Sequence, residues 1–142
     1  MVAKMKPDVY EYDDIKLGDT FQFEHMFLEG DINKYARLTG DFNPLHINRK
    51  YARSTVYKKR IAHGMLTASL FSTLLGMYCP GRDSIILSMD VNFKRPVFLN
   101  VKLHVRGEVT GKINALKIIV MKLSVSDSNH ILVEGIAKVK KF

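Results

Sequence analysis

Apolar positions fall into two regimes along the chain. From Gly64 to about Met77, the bulky residues Met65, Leu66, Leu70, Phe71, Leu74 and Leu75 are separated only by small ones, Thr67, Ala68, Ser69, Ser72 and Thr73, with no charge. A helix of that composition is expected to be buried on most sides. Gly64 in front of it and Pro80-Gly81 behind it are boundary signals. Beyond residue 84 the period becomes two. Ile85, Leu87, Met89, Val91 and Phe93 alternate with mostly polar neighbours, and Val101, Leu103 and Val105 alternate with Lys102, His104 and Arg106. Leu116–Val125 and Ile131–Val139 supply two further strands, with turns over Thr110–Asn114 and Ser126–Asn129.

The first third is less regular. Thr20–Leu28 reads as a strand rich in bulky residues. A short helix follows from about Gly30 to Leu38, with Ile32, Tyr35, Ala36 and Leu38 facing inward, until Gly40 and Pro44 break it. Residues 1–9 read as a loose arm, and residues 10–142 as a single domain. One very apolar helix and about five antiparallel strands are buried together most simply when the sheet wraps the helix, an α+β arrangement.

With 142 residues, 46% apolar and 25% charged, the chain has the size and composition of one soluble domain. No apolar run approaches the roughly 20 residues that span a bilayer, and the opening residues lack a signal-peptide core, so a cytosolic protein with no membrane contact is expected. The net charge of +8 is spread along the chain in short clusters, without an aromatic-rich RNA-binding signature. It suits a phosphorylated small molecule or an acidic carrier protein better than nucleic acid. The single Cys79 excludes an internal disulfide, and beside Pro80-Gly81 it has no base to make it a nucleophile. The five histidines show no paired ligand spacing, so no metal is expected.

The chemistry concentrates in Gly40-Asp41-Phe42-Asn43-Pro44-Leu45-His46. Asp41 accepts or holds a proton, His46 titrates near neutrality, and Asn43 both donates and accepts. Pro44 biases Asn43 to an extended conformation, so the three do not lie along a regular helix. Turned toward one point, they can grip a water and remove its proton. The same dipeptides also make a plain turn, and composition alone favours that reading. A second element is His63-Gly64, where the start of the apolar helix presents free N–H groups and Gly64 leaves room for a ligand. An oxyanion forming on a carbonyl is stabilised by such a donor; a simple helix cap with a locally bonded His63 is the alternative.

Together these elements resemble the MaoC-like, (R)-specific enoyl-CoA hydratases. The likeness rests on Tyr35, Leu38-Thr39-Gly40-Asp41, Asn43-Pro44-Leu45-His46, Ala52 and Ala62-His63-Gly64-Met65-Leu66, and extends through Pro80-Gly81 and Phe93-Lys94-Arg95-Pro96-Val97. It implies a hot-dog fold, commonly paired into a homodimer with active sites near the subunit contact. It also implies that Asp41 and His46 flank the catalytic water, that Asn43 helps to hold it, and that the Gly64 N–H binds the thioester oxygen. On that basis the expected activity is reversible hydration of a 2-enoyl thioester of coenzyme A or acyl carrier protein, with Asp41 taking the proton from water and His46 supplying one to the α-carbon. The reverse assignment and a relay through one residue stay open. No cofactor is needed for water addition. Weaker candidates are Ser72 and Leu75 for an acyl pocket, and Lys58, Lys59, Arg60 and Arg95 for coenzyme A phosphates. A hot-dog thioesterase and a non-catalytic acyl-thioester binding module are the competing functions.

Overall fold

The computed structural model describes residues 4–142. Five strands, β1 (Thr20–His25), β2 (Ser84–Phe93), β3 (Leu103–Ile113), β4 (Ile118–Ser126) and β5 (Ile131–Lys141), form one antiparallel sheet in the order β1-β3-β4-β5-β2. Helices α1 (Glu29–Thr39), α2 (Pro44–Ile47) and α3 (Arg49–Ser54) lead into the central helix α4 (Gly64–Met77). The sheet packs on α4 in the hot-dog arrangement, with Phe71, Leu74 and Leu75 in the core against Val105, Val109, Met121, Leu123 and Val139. Gly107 makes the approach possible. A Cβ there would lie 2.6 Å from Leu74 Cδ2, closer than packed side chains come.

Helix α4 has the expected bounds, but it is not covered all round. Gly64, Met65, Ser69, Ser72, Thr73 and Gly76 form an exposed stripe, uncharged along its length. Other departures have local causes. Leu38 was placed inward and is 85% exposed, because the inward face of α1 is set by Ile32 and Ala36. Strand β1 stops at His25, and Phe27 instead turns into the core while its carbonyl accepts from Asn100 N–H at 2.9 Å. In β2 a bulge between Ile86 and Ser88 shifts the phase, so Ile85 and Leu87 face outward while Ile86, Met89 and Val91 pack on the core. A second bulge, between Val109 and Gly111, carries β3 through the expected turn. The chain reverses instead at Asn114–Leu116, so β4 begins at Ile118 rather than Leu116.

The arm is not loose where it is described. Asp8 N–H donates to Met77 O at 3.0 Å, Asp8 O accepts from Arg82 N–H at 2.9 Å, and Val9 bridges Gly81. Residues 1–3 of the expected arm lie outside the described residues.

Candidate active site

The Asp41–His46 segment is built from short hydrogen bonds to its own backbone. Gly40 ends α1 in the left-handed conformation, φ 79°, with its N–H on Ala36 O at 2.9 Å. Asp41 Oδ1 accepts from Asn43 N–H at 3.2 Å, and Asn43 Oδ1 accepts from Leu45 N–H at 3.0 Å. Asn43 is therefore the N-cap of α2, with Pro44 at its first position. The turn chemistry is present and brings Asp41 and His46 together, while the Asn43 oxygen goes to the helix cap. Asp41 lies in the loop, whereas His46 sits within α2. The Asn43 side-chain oxygen is committed to the cap, which leaves its amide NH₂ for a water or ligand.

His46 and Asp41 are held by different means. His46 Nδ1 lies 2.9 Å from Ile61 O. A carbonyl only accepts, so Nδ1 carries the proton and Nε2 presents a lone pair. Burial lowers the His46 pKa, helped by the nearby His63 and Arg60 and opposed by the Ile61 carbonyl and Asp41. Neutral His46 is thus favoured at neutral pH. His63, 2% exposed, donates from Nε2 to Asp41 O at 3.0 Å, and the same nitrogen is 4.0 Å from Asp41 Oδ2. Its ring lies against His46, with centroids 4.0 Å apart and planes at 32°, and Tyr35 covers it at 4.9 Å. His63 Nδ1 is buried without a partner. The alternative of a locally bonded His63 does not hold: its Nε2 reaches 22 residues back to brace the Asp41 turn.

Asp41, His46 and His63 each offer one ligand atom, and these atoms lie within 4.8 Å of one another. Sequence spacing gave no sign of this cluster, because the fold makes it. A metal would need the lone pair of the nitrogen it binds, and His63 Nε2 spends its proton on Asp41 O. The Asp41 carboxylate and the His46 ring are acceptors a few ångströms apart, an arrangement chemically able to hold a water between them.

A cavity of about 270 Å³ opens beside this cluster, lined by His46, Tyr57, Gly64, Thr67, Phe93 and Arg95 among others. Gly64 is the first residue of α4, and a Cβ on it would lie 3.2 Å from the Phe93 ring. Arg95 is at this cavity, but Ser72 and Leu75 are not: Ser72 lies on the exposed stripe of α4, and Leu75 is 1% exposed within the core. Arg60 is not free to reach a phosphate. Its guanidinium donates to His46 O, to Glu29 Oε1 at 2.8 Å and to Asn33 Oδ1 at 3.2 Å, with its side chain only 6% exposed. It ties α1 to α2 and so fixes His46 from behind. Burial pushes the Cys79 thiol up to about 12, which makes it an inert core residue. Among the described residues no helix is long and apolar enough to cross a membrane.

Known proteins are similar to this chain in sequence and in fold. The MaoC-like domain model matches residues 9–130. The (R)-specific enoyl-CoA hydratase of Rhodospirillum rubrum is 34% identical over 131 residues, 92% of this chain and 91% of its own. The (R)-specific enoyl-CoA hydratase of Aeromonas caviae is 40% identical over 96 residues, 68% of this chain and 72% of its own. The solved structure of an (R)-hydratase from A. caviae involved in PHA biosynthesis superposes with a TM-score of 0.87 at 34% identity, covering 90% of this chain and 98% of that one.

Proposed function

Since the chain belongs to the MaoC-like domain family, we propose that it adds water reversibly to a 2-enoyl thioester, giving the (R)-3-hydroxyacyl thioester. The observation that carries this reading is the convergence of the Asp41 carboxylate and a ring nitrogen of His46 within 4.8 Å of each other, beside a cavity lined by His46 and Gly64. That separation is spanned by one water, hydrogen-bonded at about 2.8 Å to each side.

The tautomer of His46 sharpens the roles. Its N–H is held by Ile61 O, so before reaction Nε2 has no proton to give and can only accept one. This favours the relay over the assignment in which Asp41 is the base. His46 Nε2 removes one proton from water while Asp41 accepts a hydrogen bond from the other. The water oxygen forms a bond to the β-carbon, and the π electrons of the double bond move through the α-carbon onto the thioester oxygen. The Gly64 N–H at the head of α4 is the donor for that oxygen. As the carbonyl re-forms, the α-carbon takes the proton from His46 Nε2, which returns His46 to its starting state. Asp41 stabilises the transient imidazolium, and His63 keeps the Asp41 turn in place. Run backwards, the same steps dehydrate a 3-hydroxyacyl thioester.

A homodimer belongs to the same reading. Strand β2 is an edge ten residues long with Ile85 and Leu87 outward, next to the uncharged stripe on α4. An antiparallel edge pairs with its own copy across a two-fold axis, covering both features.

The test is the loss of enoyl absorbance from crotonyl-CoA, with Asp41→Asn and His46→Ala alongside. Each variant is expected to fall roughly 10²-fold or more. Release of free thiol instead would make the protein a thioesterase, and binding without turnover would make it an acyl-thioester binding module.

A further inference from the structure

Resting on the hydratase reading, we propose that Arg60 is a positioning residue for water addition: through the main chain of α2 it holds the His46 imidazole against the water, and turnover depends on it more than the fold does.

The need for such a residue comes from α2 itself. The helix is four residues long, Pro44–Ile47, and none of them is buried. A helix that short makes too few hydrogen bonds of its own to be stable. Of its apolar side chains only Ile47 packs on the core, and that one partly. The position of α2 therefore rests on polar ties, and two of them come from consecutive residues. Arg60 Nε–H donates to His46 O, and His46 Nδ1–H donates to Ile61 O at 2.9 Å. One tie holds the main chain and the other the ring. The last carbonyls of a helix lack an intrahelical partner, and His46 O finds one in the guanidinium. The segment behind both ties is anchored in turn, since Ile61 bridges Phe98 and Ala62 N–H donates to Val97 O at 2.8 Å.

The other donors of Arg60 point to α1. Nη1 reaches Glu29 Oε1 at 2.8 Å, and Nη2 reaches Asn33 Oδ1 at 3.2 Å. Helix α1 ends at Gly40 and so delivers Asp41, whereas α2 carries His46. The relative placement of the two reacting groups thus passes through one guanidinium, whose side chain is only 6% exposed. Such a group is a poor way to gain stability. Desolvation offsets its attraction to a carboxylate, and an apolar residue of similar size commonly serves a fold as well. It is a good way to fix geometry, because a planar fork sets several directions at once. Removing it strands no buried charge, since Glu29 keeps Arg49 and is half exposed.

The experiment compares wild type with Arg60→Met and Arg60→Lys by thermal melt, by kcat and KM on crotonyl-CoA, and by ¹⁵N NMR of the His46 ring. Both variants are expected to melt within about 4 °C of wild type. In Arg60→Met, kcat falls about tenfold or more while KM stays within about twofold, because a misplaced base weakens the transition state and not binding. Lysine keeps the charge without the fork and is expected not to restore kcat. The wild-type ring shows one tautomer, with the proton on Nδ1, and both variants show a mixture. A wild-type kcat in either folded variant overturns the proposal. So does a melt that collapses in both, which makes Arg60 a residue of the fold alone. A wild type that turns over no enoyl thioester sinks the hydratase reading, and the ring spectra then still decide the hold on His46: an unchanged tautomer in a folded variant removes it.

Discussion

Replacing Gly64 by alanine separates stability from catalysis at the head of α4. The new methyl would meet three carbons of the Phe93 ring at 3.2, 3.4 and 3.5 Å. The contact is tight by a few tenths of an ångström. Phe93 is 50% exposed, so its ring can give way at little cost. Alanine also favours the helix over glycine, by up to about 1 kcal/mol in a helix interior and less in a first turn. The two effects nearly cancel, and the melting temperature should stay within about 3 °C of wild type. Activity is expected to behave differently. The methyl and the displaced ring both occupy the space through which a thioester oxygen reaches the Gly64 N–H. Losing an oxyanion donor costs about 3 kcal/mol of transition-state stabilisation, or roughly 10²-fold in kcat. Following crotonyl-CoA hydration by absorbance beside a thermal melt reads both quantities on one preparation. A Gly64→Ala variant that melts normally and turns over at the wild-type rate would refute the placement of the oxygen at Gly64.

Further consequences follow from burial and packing. Under the proposed role of His46 as base, hydration should be flat with pH at and above neutrality and fall on the acid side with a midpoint below the ordinary histidine value of 6.5, because burial lowers its pKa; a midpoint above 7 contradicts that role. The same shift makes the unfolded chain bind the proton first, so stability present above pH 6.5 declines as pH falls toward and through the folded pKa, which denaturation at stepped pH would follow. Gly107→Ala puts a Cβ 2.6 Å from Leu74 Cδ2 and 3.1 Å from Met121 Cε in the closed core, and should destabilise by about 1–3 kcal/mol in a urea titration. Ser72→Arg places a charge on the uncharged stripe of α4 and should convert a dimer to a monomer in light scattering; a wild type that is already monomeric removes the dimer.

The parts of the fold that were legible are those in which one residue pattern admits one structure. Helix α4 could be bounded in advance because its apolar run carries no charge and both ends are punctuated, by Gly64 and by Pro80-Gly81. The strand bulges could not. Within Ile85-Ile86-Leu87 any residue is apolar enough to face the core, so alternation does not say where the extra residue sits. Helices α2 and α3 were visible in principle. Asn43-Pro44 is an N-cap followed by a first-turn proline, and Asn48 caps α3 through its side-chain oxygen on Tyr51 N–H at 3.0 Å. The same dipeptide is also turn chemistry, and only the residues after it decide.

The nearness of Asp41 and His46 was legible because they lie five residues apart, on either side of the Asn43-Pro44 cap. Which ring nitrogen of His46 keeps its proton was not, since that depends on partners that carry no side-chain signature. The proton on His46 is placed by the main-chain oxygen of Ile61, and His63 holds Asp41 through a main-chain oxygen as well. Any residue type would supply those carbonyls, so no spelling of the chain announces them. Arg60 illustrates the converse. Its charge beside Lys58 and Lys59 suggested a phosphate ligand, yet Glu29 and Asn33, about thirty residues upstream, claim it for the scaffold. A basic cluster read along the chain therefore splits in the fold: one member steadies His46 from behind, and its neighbours are left facing solvent with charge to offer.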